Sequence, residues 1–262
     1  MRMGGLLLRI AVIVPLTLII GPILVVLIVA FSAGDSLVFP PPGLSLRWFV
    51  AFFDSAEMRG AFLLSIGLAL TSATMATVLG LLSAIYVVRT RNAFSNFLQV
   101  LVIAPLIFPA LILGVALLLL YKTISMAVLP GLFMAHVVVC LPYAFRSVLT
   151  SLQSFDRTLE EAGQSLGAGP LRSFRLITLP IIWPGVLSGW LFAFVVSFGE
   201  LNTALFLTGP GVSTLPIEIF SYLQFQGNQL VVAAASALQV LIIIIVLALA
   251  ERLIGARQIV ER

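Results

Sequence analysis

Two side chains that could bind a metal ion lie one helical turn apart in a hydrophobic stretch of the sequence. His136 and Cys140 are the only histidine and the only cysteine of the chain. Zinc sites usually need three or four protein ligands, so this pair is too small for a metal centre. We expect it to serve helix packing instead. The segment around His136 also lacks the His-Glu-x-x-His pattern and the Gly-flanked serine of membrane-embedded hydrolases.

Glu200 is the one acidic residue inside a predicted membrane span, in the segment Phe198-Gly199-Glu200-Leu201-Asn202. A carboxylate at that depth is costly unless it faces a water-filled cavity or a polar partner. Two roles therefore stay open: Glu200 lines a solute pathway, or it accepts structural hydrogen bonds. Three polar neighbours are candidates for the same pathway, namely Ser197, Asn202 and Thr203.

The composition excludes a water-soluble globule. Of 262 residues, 61% are hydrophobic and 9% are charged, and the mean hydropathy is +1.21. Soluble domains carry about one quarter charged residues, so this chain needs a lipid bilayer as its solvent. Its net charge of +4 is scattered along the sequence, which argues against nucleic-acid binding. A single cysteine excludes an intramolecular disulfide.

Six segments are apolar enough to cross the hydrocarbon, for which a helix needs about twenty residues. They cover approximately 10–32, 61–88, 98–121, 128–149, 181–207 and 230–250. The expected fold is therefore all-α, a single transmembrane domain over residues 1–262. The first segment follows Arg2 and Arg9 and has features of a secretory signal. Its uncharged stretch exceeds the roughly 7–15 residues of a signal core, so we expect the helix to be retained.

Loop charge predicts the orientation of these helices, because arginine stays preferentially on the cytoplasmic side. With the N-terminus inside, eleven basic residues are cytoplasmic (Arg2, Arg9, Arg89, Arg91, Arg146, Arg157, Arg172, Arg175, Arg252, Arg257 and Arg262) and three are outside (Arg47, Arg59 and Lys122). Six crossings then place both termini in the cytoplasm. The outer segments would be 33–60 and 208–229, the first with a short surface helix around Leu46–Phe53.

The predicted cytoplasmic loop from about 150 to 180 is longer than a connection between membrane helices needs to be. Its first half predicts a short helix with Ser154 or Asp156 as N-cap and Gly167 closing its far end. Gly169-Pro170 then starts a second helix, with proline at its first position. One stripe of the first helix carries Leu159, Ala162, Gly163 and Leu166, opposite Glu160 and Gln164.

Two amphipathic helices below a membrane have two possible uses. They could lie flat in the lipid interface, or they could present a docking surface to another protein. The first helix is acidic, through Glu160 and Glu161, and it contains Gly163. Helices that bind anionic bilayers have basic and aromatic faces instead, so we predict a docking surface.

The same loop resembles the EAA loop of membrane subunits of binding-protein-dependent ABC importers. That pattern is Glu-Ala-Ala, three residues, Gly, nine residues and Ile-x-Leu-Pro. Here Glu161-Ala162-Gly163 is followed at the same spacing by Gly167 and by Ile177-Thr178-Leu179-Pro180. Gly163 replaces the second alanine, which loosens the helix by up to about 1 kcal/mol. The outer segments Phe39–Phe49 and Leu207–Pro216 are similar to those of spermidine/putrescine-type permeases.

The resemblance implies a type I importer in a bacterial cytoplasmic (inner) membrane. This chain and a second permease, a paralogue or another copy, would form the pore. Two ATPases that bind ATP and Mg would drive it, and an extracytoplasmic binding protein would deliver the solute. The residues implied in coupling to the ATPase are Glu160, Glu161, Ala162, Gly163, Leu166 and Gly167. Because the sequence has no Gly-x-x-x-x-Gly-Lys-[Ser/Thr] loop, we expect no enzyme activity and no cofactor in this chain itself.

The resemblance leaves the solute open. In polyamine-type relatives Ser-Phe is followed by Asp and a second acid, whereas here Ser197-Phe198 is followed by Gly199 and Glu200. A Gly-Glu pair also occurs at this point in oxyanion-type importers, where the acid is structural. We favour a polyamine-like cation, with an oxyanion, ferric iron or an organophosphonate as alternatives. An ATP-independent channel or secondary carrier would have no use for the docking loop.

Overall fold

The computed structural model describes residues 2–226 and 228–260, and the side chains of residues 9, 11–225 and 228–252. The predicted cytoplasmic charges include three that lie outside the described residues: Arg262 and the side chains of Arg2 and Arg257. Eleven α-helices are present in the described part: α1 (Arg2–Val29), α2 (Arg47–Asp54), α3 (Ala56–Arg89), α4 (Ala93–Ile103), α5 (Ala110–Thr123), α6 (Val128–Gln153), α7 (Thr158–Ser165), α8 (Pro170–Ser173), α9 (Leu179–Phe198), α10 (Leu215–Ser221) and α11 (Gln229–Val260). Short 3-10 turns cover Ala104–Leu106 and Ala204–Phe206, and π-helical segments cover Phe174–Thr178 and Tyr222–Gln226.

Five helical stretches of the described chain are long and apolar enough to span a membrane. They are Ala11–Val29, Ala56–Arg89, Val128–Gln153, Pro170–Phe198 and Gln229–Arg252. The expected all-α membrane fold is confirmed, and these stretches coincide with five of the six predicted spans. A sixth crossing is reached only if the bent pair α4 and α5 forms one span.

The prediction of a continuous helix over 98–121 is wrong. α4 and α5 are bent by 107° relative to each other. Pro105 lies in the 3-10 turn that ends α4, and Pro109 precedes α5 with an extended ψ of 129°. Proline has no N–H to donate and disfavours helical backbone at the residue before it, so the helix breaks between these two prolines.

The fifth span is shifted toward the N-terminus relative to the predicted range 181–207. α8, the π segment and α9 form one helical stretch from Pro170 to Phe198, so the second helix of the loop feeds directly into the span, as predicted. At the other end α9 stops at Phe198 with Gly199 as its C-cap. Glu200 therefore lies just beyond the helix, which corrects the expectation that it falls inside a span.

The chain forms two compact units, one of residues 1–61 with 218–244 and one of residues 62–217 with 245–262. The single domain over 1–262 stays a prediction. In the first unit α2 confirms the predicted surface helix, and Phe49 packs on the buried Ala30 and Ala233.

The second unit is held by close packing of α6 against α9. An added Cβ at Gly189 would lie 3.0 Å from the carbonyl oxygen of Ala144, and one at Gly185 would collide with Ser151. The Ser147 hydroxyl also donates to the Gly185 carbonyl at 2.8 Å. The two glycines form a Gly-x-x-x-Gly pattern, which lets membrane helices approach backbone to backbone.

Candidate functional site

The predicted docking helix is present as α7. Its first turn is preceded by Asp156, whose carboxylate accepts the backbone N–H of Thr158 at 3.0 Å. This bond favours the charged form and lowers the pKa of Asp156. The N-cap position itself is held by Arg157, so the prediction of Ser154 or Asp156 there is wrong. Ser154 donates to the Thr150 carbonyl at 3.1 Å and belongs to the end of α6.

Gly167 closes α7, as predicted, in a left-handed backbone conformation with φ of +89°. The N–H of Gly167 donates to the Gln164 carbonyl at 2.9 Å, and the N–H of Ala168 donates to the Gly163 carbonyl at 3.1 Å. These two bonds form a Schellman motif, which satisfies carbonyls at the end of the helix and usually requires glycine at this position. The helix therefore has a defined length and a fixed exit direction.

The inward face of α7 is formed by Glu160 and Gly163. A Glu160 carboxylate oxygen accepts from the Arg89 guanidinium at 2.6 Å and from the Thr178 hydroxyl. The α-carbon of Gly163 faces Ile177, because an added Cβ would lie 2.6 Å from the end of that side chain. Both residues thus contact the chain's own helices.

The outward face of α7 differs from the predicted stripe. Leu159, Ala162 and Leu166 are exposed, Leu166 to 91%, whereas Gly163 of that stripe turns inward. Glu161 is also exposed, and its carboxylate makes no ion pair or hydrogen bond with the described side chains. A small helix of fixed length thus presents two leucines, an alanine and one carboxylate to the surroundings.

Three residues that hold α7 in place carry no local sequence signal. Arg89 ends α3, Thr178 ends the π segment, and Arg157 donates to the Val88 carbonyl of α3 at 2.6 Å. In the sequence Arg89 and Arg157 counted only as predicted cytoplasmic charges, and Thr178 stands at the unspecified position of the Ile-x-Leu-Pro pattern. Their partners lie as many as 71 residues away, and such pairs emerge only from the tertiary structure.

The four predicted pathway residues have different surroundings. Ser197 and Thr203 are buried, Glu200 is half-buried, and Asn202 is exposed. A Glu200 carboxylate oxygen accepts the backbone N–H of Thr203 at 2.7 Å and so closes the turn after α9. The Thr203 hydroxyl donates to the Ala110 carbonyl of α5 at 3.4 Å. The four residues share one segment, but only Glu200 and Asn202 present surface.

His136 and Cys140 belong to the packing of α6 against α9, as predicted. Nδ1 of His136 lies 2.8 Å from the Ser197 hydroxyl, and the Cys140 thiol donates to the Ala193 carbonyl at 3.1 Å. Both side chains are buried. The pair thus fixes the register of α6 against α9. Ser197, one of the predicted pathway residues, is the partner of His136 in this contact.

A groove of about 640 Å³ with a mostly apolar lining lies beside the α6–α9 pair. Its lining includes Tyr143, Arg146, Ser147, Thr150, Ser151 and Ser188, with Leu106 and Phe192 at its apolar side. Arg146 is exposed, and its guanidinium makes no hydrogen bond to any described residue. The groove combines one cation with several hydroxyl groups. The hydroxyls of Ser147 and Thr150 already donate to backbone carbonyls, so the exposed guanidinium is the main donor for an anion or a hydroxylated solute.

Comparison with known proteins gives consistent matches over most of the chain. The family described as binding-protein-dependent transport system inner membrane component matches residues 76–258. The putrescine transport system permease protein PotI of Escherichia coli K12 is 36% identical over 228 residues, which cover 84% of this chain and 81% of PotI. The spermidine/putrescine transport system permease protein PotC of Haemophilus influenzae is 32% identical over 68% of this chain and 70% of PotC.

Two further matches extend the comparison. The molybdenum transport system permease protein ModB of Mycobacterium bovis is 32% identical over 80% of this chain and 83% of ModB. Among solved structures, a crystal structure of a bacterial alginate ABC transporter with its alginate-bound periplasmic protein shares the fold, with a TM-score of 0.69 at 17% identity over 96% of this chain and 94% of that one.

These matches confirm the resemblance seen in the sequence. The family match includes α7 and four of the five unbroken membrane-spanning stretches, at least in part. The long apolar helices and the inner-membrane relatives agree on a protein that crosses the membrane several times. The chain therefore belongs to the family of binding-protein-dependent transport system inner membrane components and is a multi-pass permease of an ABC importer.

Proposed function

We propose that this chain forms half of an importer pore and that separate ATPase subunits drive it through α7. A second permease, a paralogue or another copy, forms the other half, and an extracytoplasmic binding protein delivers the solute. ATP and Mg bind to the ATPases and not to this chain. Both termini and the loop 150–180 lie on the cytoplasmic side, where the ATPases can reach α7.

The attachment of α7 is the observation that carries this proposal. Its inward face bonds to the last residue of α3 through Arg89 and to the entry of α9 through Thr178. Its outward face leaves Glu161, Ala162 and Leu166 exposed. A docking surface tied to two membrane-spanning helices is what a mechanical link to a motor subunit requires, because movement of the surface moves the helices.

A polyamine-like cation is the favoured solute. Two of the relatives described above are permeases for putrescine or for spermidine and putrescine. Glu200 supplies a half-buried carboxylate and Asn202, two positions further along the chain, an exposed amide; a carboxylate of this kind suits an ammonium group. We assign these two residues to the solute pathway, whereas Ser197 and Thr203 hold the end of α9.

An oxyanion is the second candidate solute. The ModB relative is a molybdenum permease, and the groove beside Arg146 offers a guanidinium without a partner among the described residues, with hydroxyl groups nearby. An anion would be favoured there, while a polyamine would be repelled. The two candidates thus use oppositely charged parts of the same chain.

Reconstitution tests the proposal. The protein is purified with the subunits that copurify with it, placed in proteoliposomes with its binding protein, and supplied with radiolabelled putrescine or molybdate. We expect uptake to require internal ATP, and putrescine to be transported in preference to molybdate. Uptake driven by an ion gradient without ATP would contradict the importer assignment, and preference for molybdate would select the second candidate.

Glu161→Lys tests the role of the outward face of α7. We expect assembly to persist and ATP-driven uptake to fall at least roughly tenfold, because an exposed carboxylate facing the partner is reversed in charge. Glu251→Lys makes the same change at an exposed position of α11 and should leave uptake unchanged. Wild-type uptake in both variants would show that Glu161 is not part of the docking surface.

A further inference from the structure

One carboxylate oxygen lies where three helical elements meet. Oε1 of Glu160, on α7, accepts from Nη2 of Arg89 at 2.6 Å and from the hydroxyl of Thr178. Arg89 is the last residue of α3, and Thr178 is the last residue of the π segment before α9. The same oxygen thus connects the docking helix to the ends of two membrane-spanning helices.

The Glu160 side chain is largely withdrawn from water. Its side chain is 12% exposed, whereas that of Arg89 is 39% exposed, and Thr178 is 1% exposed. Hydrogen bonds to an ionised carboxylate are shorter and stronger than neutral ones. Loss of one partner would leave a poorly solvated charge, so the three groups form a unit whose members depend on each other.

Two further contacts restrict α7 on the same face. Arg157, just before α7, donates to the Val88 carbonyl at 2.6 Å. That carbonyl is among the last four of α3, which have no partner within the helix. Near the other end of α7, Gly163 lies against Ile177 of the π segment. The helix is therefore held at both of its ends and at Glu160 between them.

The side chain that contacts Glu160 from this stretch, Thr178, belongs to the π segment. A π turn holds more residues than an α turn, so it rotates the following side chains by about 100° relative to an unbroken α-helix. Phe174–Thr178 is such a turn, and it ends at Thr178. Single π turns within α-helices are frequent at functional sites. Here the turn lies between α8 and α9, near the start of the membrane-spanning stretch Pro170–Phe198.

We propose that Glu160 is a positioning residue that makes α7, the end of α3 and the entry of α9 move as one body during transport. The proposal rests on the proposed function, because it concerns how force applied to α7 reaches the spans. Glu161 on the outward face would receive the partner, and Glu160 on the inward face transmits the movement. Without the Arg89–Glu160–Thr178 cluster, α7 can follow the ATPase while α3 and α9 lag behind.

A purely structural role for Glu160 makes a different prediction. It would lower the yield of assembled complex and leave the number of solute molecules imported per ATP unchanged in what does assemble. A transmitting role lowers that ratio in complexes that assemble and hydrolyse ATP normally. The ratio of uptake to ATP hydrolysis therefore distinguishes the two roles.

The test compares Glu160→Ala, Arg89→Glu and the double variant Arg89→Glu with Glu160→Arg in the reconstituted complex. We expect each single variant to keep ATPase activity within twofold of wild type and to lower uptake per ATP by at least roughly tenfold. The double variant restores an ion pair of reversed polarity, and we expect it to recover uptake per ATP to within about threefold of wild type.

Arg91→Glu is the matched control, because Arg91 lies two residues after Arg89, is exposed and makes no ion pair with the described residues. It should leave uptake per ATP unchanged. If the Glu160→Ala variant does not assemble, Thr178→Val takes its place. This substitution removes the hydroxyl donor to Glu160 but keeps the Arg89–Glu160 ion pair, so we expect a smaller loss of uptake per ATP. Wild-type uptake per ATP in any assembled cluster variant, or no recovery in the double variant, overturns the proposal. Failure of the proposed function is distinct, since wild-type protein would then bind no ATPase or transport without ATP.

Discussion

Glu200 combines a charge with a structural hydrogen bond, and two substitutions separate these roles. Its carboxylate accepts the N–H of Thr203 at 2.7 Å, and a glutamine oxygen can accept the same bond. We expect Glu200→Gln to keep the melting temperature of the complex and to lower putrescine uptake roughly tenfold, because only the negative charge is lost. Glu200→Ala should also lower stability by about 1 kcal/mol, since the turn after α9 loses its acceptor.

Proteoliposome uptake and thermal unfolding of the same preparations measure the two effects. Ser197→Ala serves as a comparison, because Ser197 is buried against His136. We expect this substitution to lower the melting temperature of the complex more than it changes putrescine uptake. Normal uptake by the Glu200→Gln variant would assign Glu200 to the turn alone and remove it from the pathway.

At the scale of the element, the end of α7 depends on the backbone of one residue. Gly167 has φ of +89°, and an added Cβ would meet no atom within 4 Å. A Gly167→Ala substitution therefore costs backbone strain without a clash, about 1–2 kcal/mol. We expect the last turn of α7 to fray and ATP-driven uptake to fall several-fold, measured beside complex yield and hydrogen exchange of 158–168.

Gly169 supplies the control for this substitution. It is likewise unobstructed, but its φ is −67°, a value that alanine adopts readily. Gly169→Ala should leave both uptake and amide exchange at wild-type levels. Equal effects of the two substitutions would show that loss of loop flexibility, and not the left-handed turn, is responsible.

The helical elements were largely predictable, whereas their breaks and contacts were not. Apolar length alone identified the spans, because a bilayer requires about twenty such residues whatever they pack against. The same criterion missed the bend at Pro109 and the end of α9 at Phe198. Apolar residues follow Pro109 directly, and they resume at Ala204–Leu207 soon after Phe198. There the local backbone preferences of proline and glycine outweigh hydropathy.

In the candidate site, too, the helices were predictable from the sequence and their contacts were not. Spacing within the loop predicted α7, its closing glycine and the helix that starts at Pro170. It assigned Glu160 to the polar side opposite the apolar stripe, yet Glu160 turns inward because Arg89 lies there. A helical wheel orders the residues around an axis but does not say which side faces the protein. That choice depends on a residue 71 positions away.

At the scale of the whole molecule, the number of crossings depends on the bent pair α4 and α5. If the pair is one broken span, Arg91 and Lys122 lie on opposite sides of the membrane. If it is a re-entrant hairpin, both lie on the same side, and the chain crosses five times. Membrane-spanning helices tolerate breaks at proline where neighbouring protein satisfies the freed backbone groups, so we expect six crossings.

Cysteine accessibility measures this directly. Cys140 is fully buried and should give little background labelling. We expect a membrane-impermeant maleimide to label Lys122→Cys in intact cells and to label Arg91→Cys only after permeabilisation, because the charge distribution places residue 91 inside. The same result at both positions in intact cells, whether both are labelled or both are protected, would identify a re-entrant pair and five crossings. The reverse pattern would place the loop 150–180 outside, where no ATPase could reach α7.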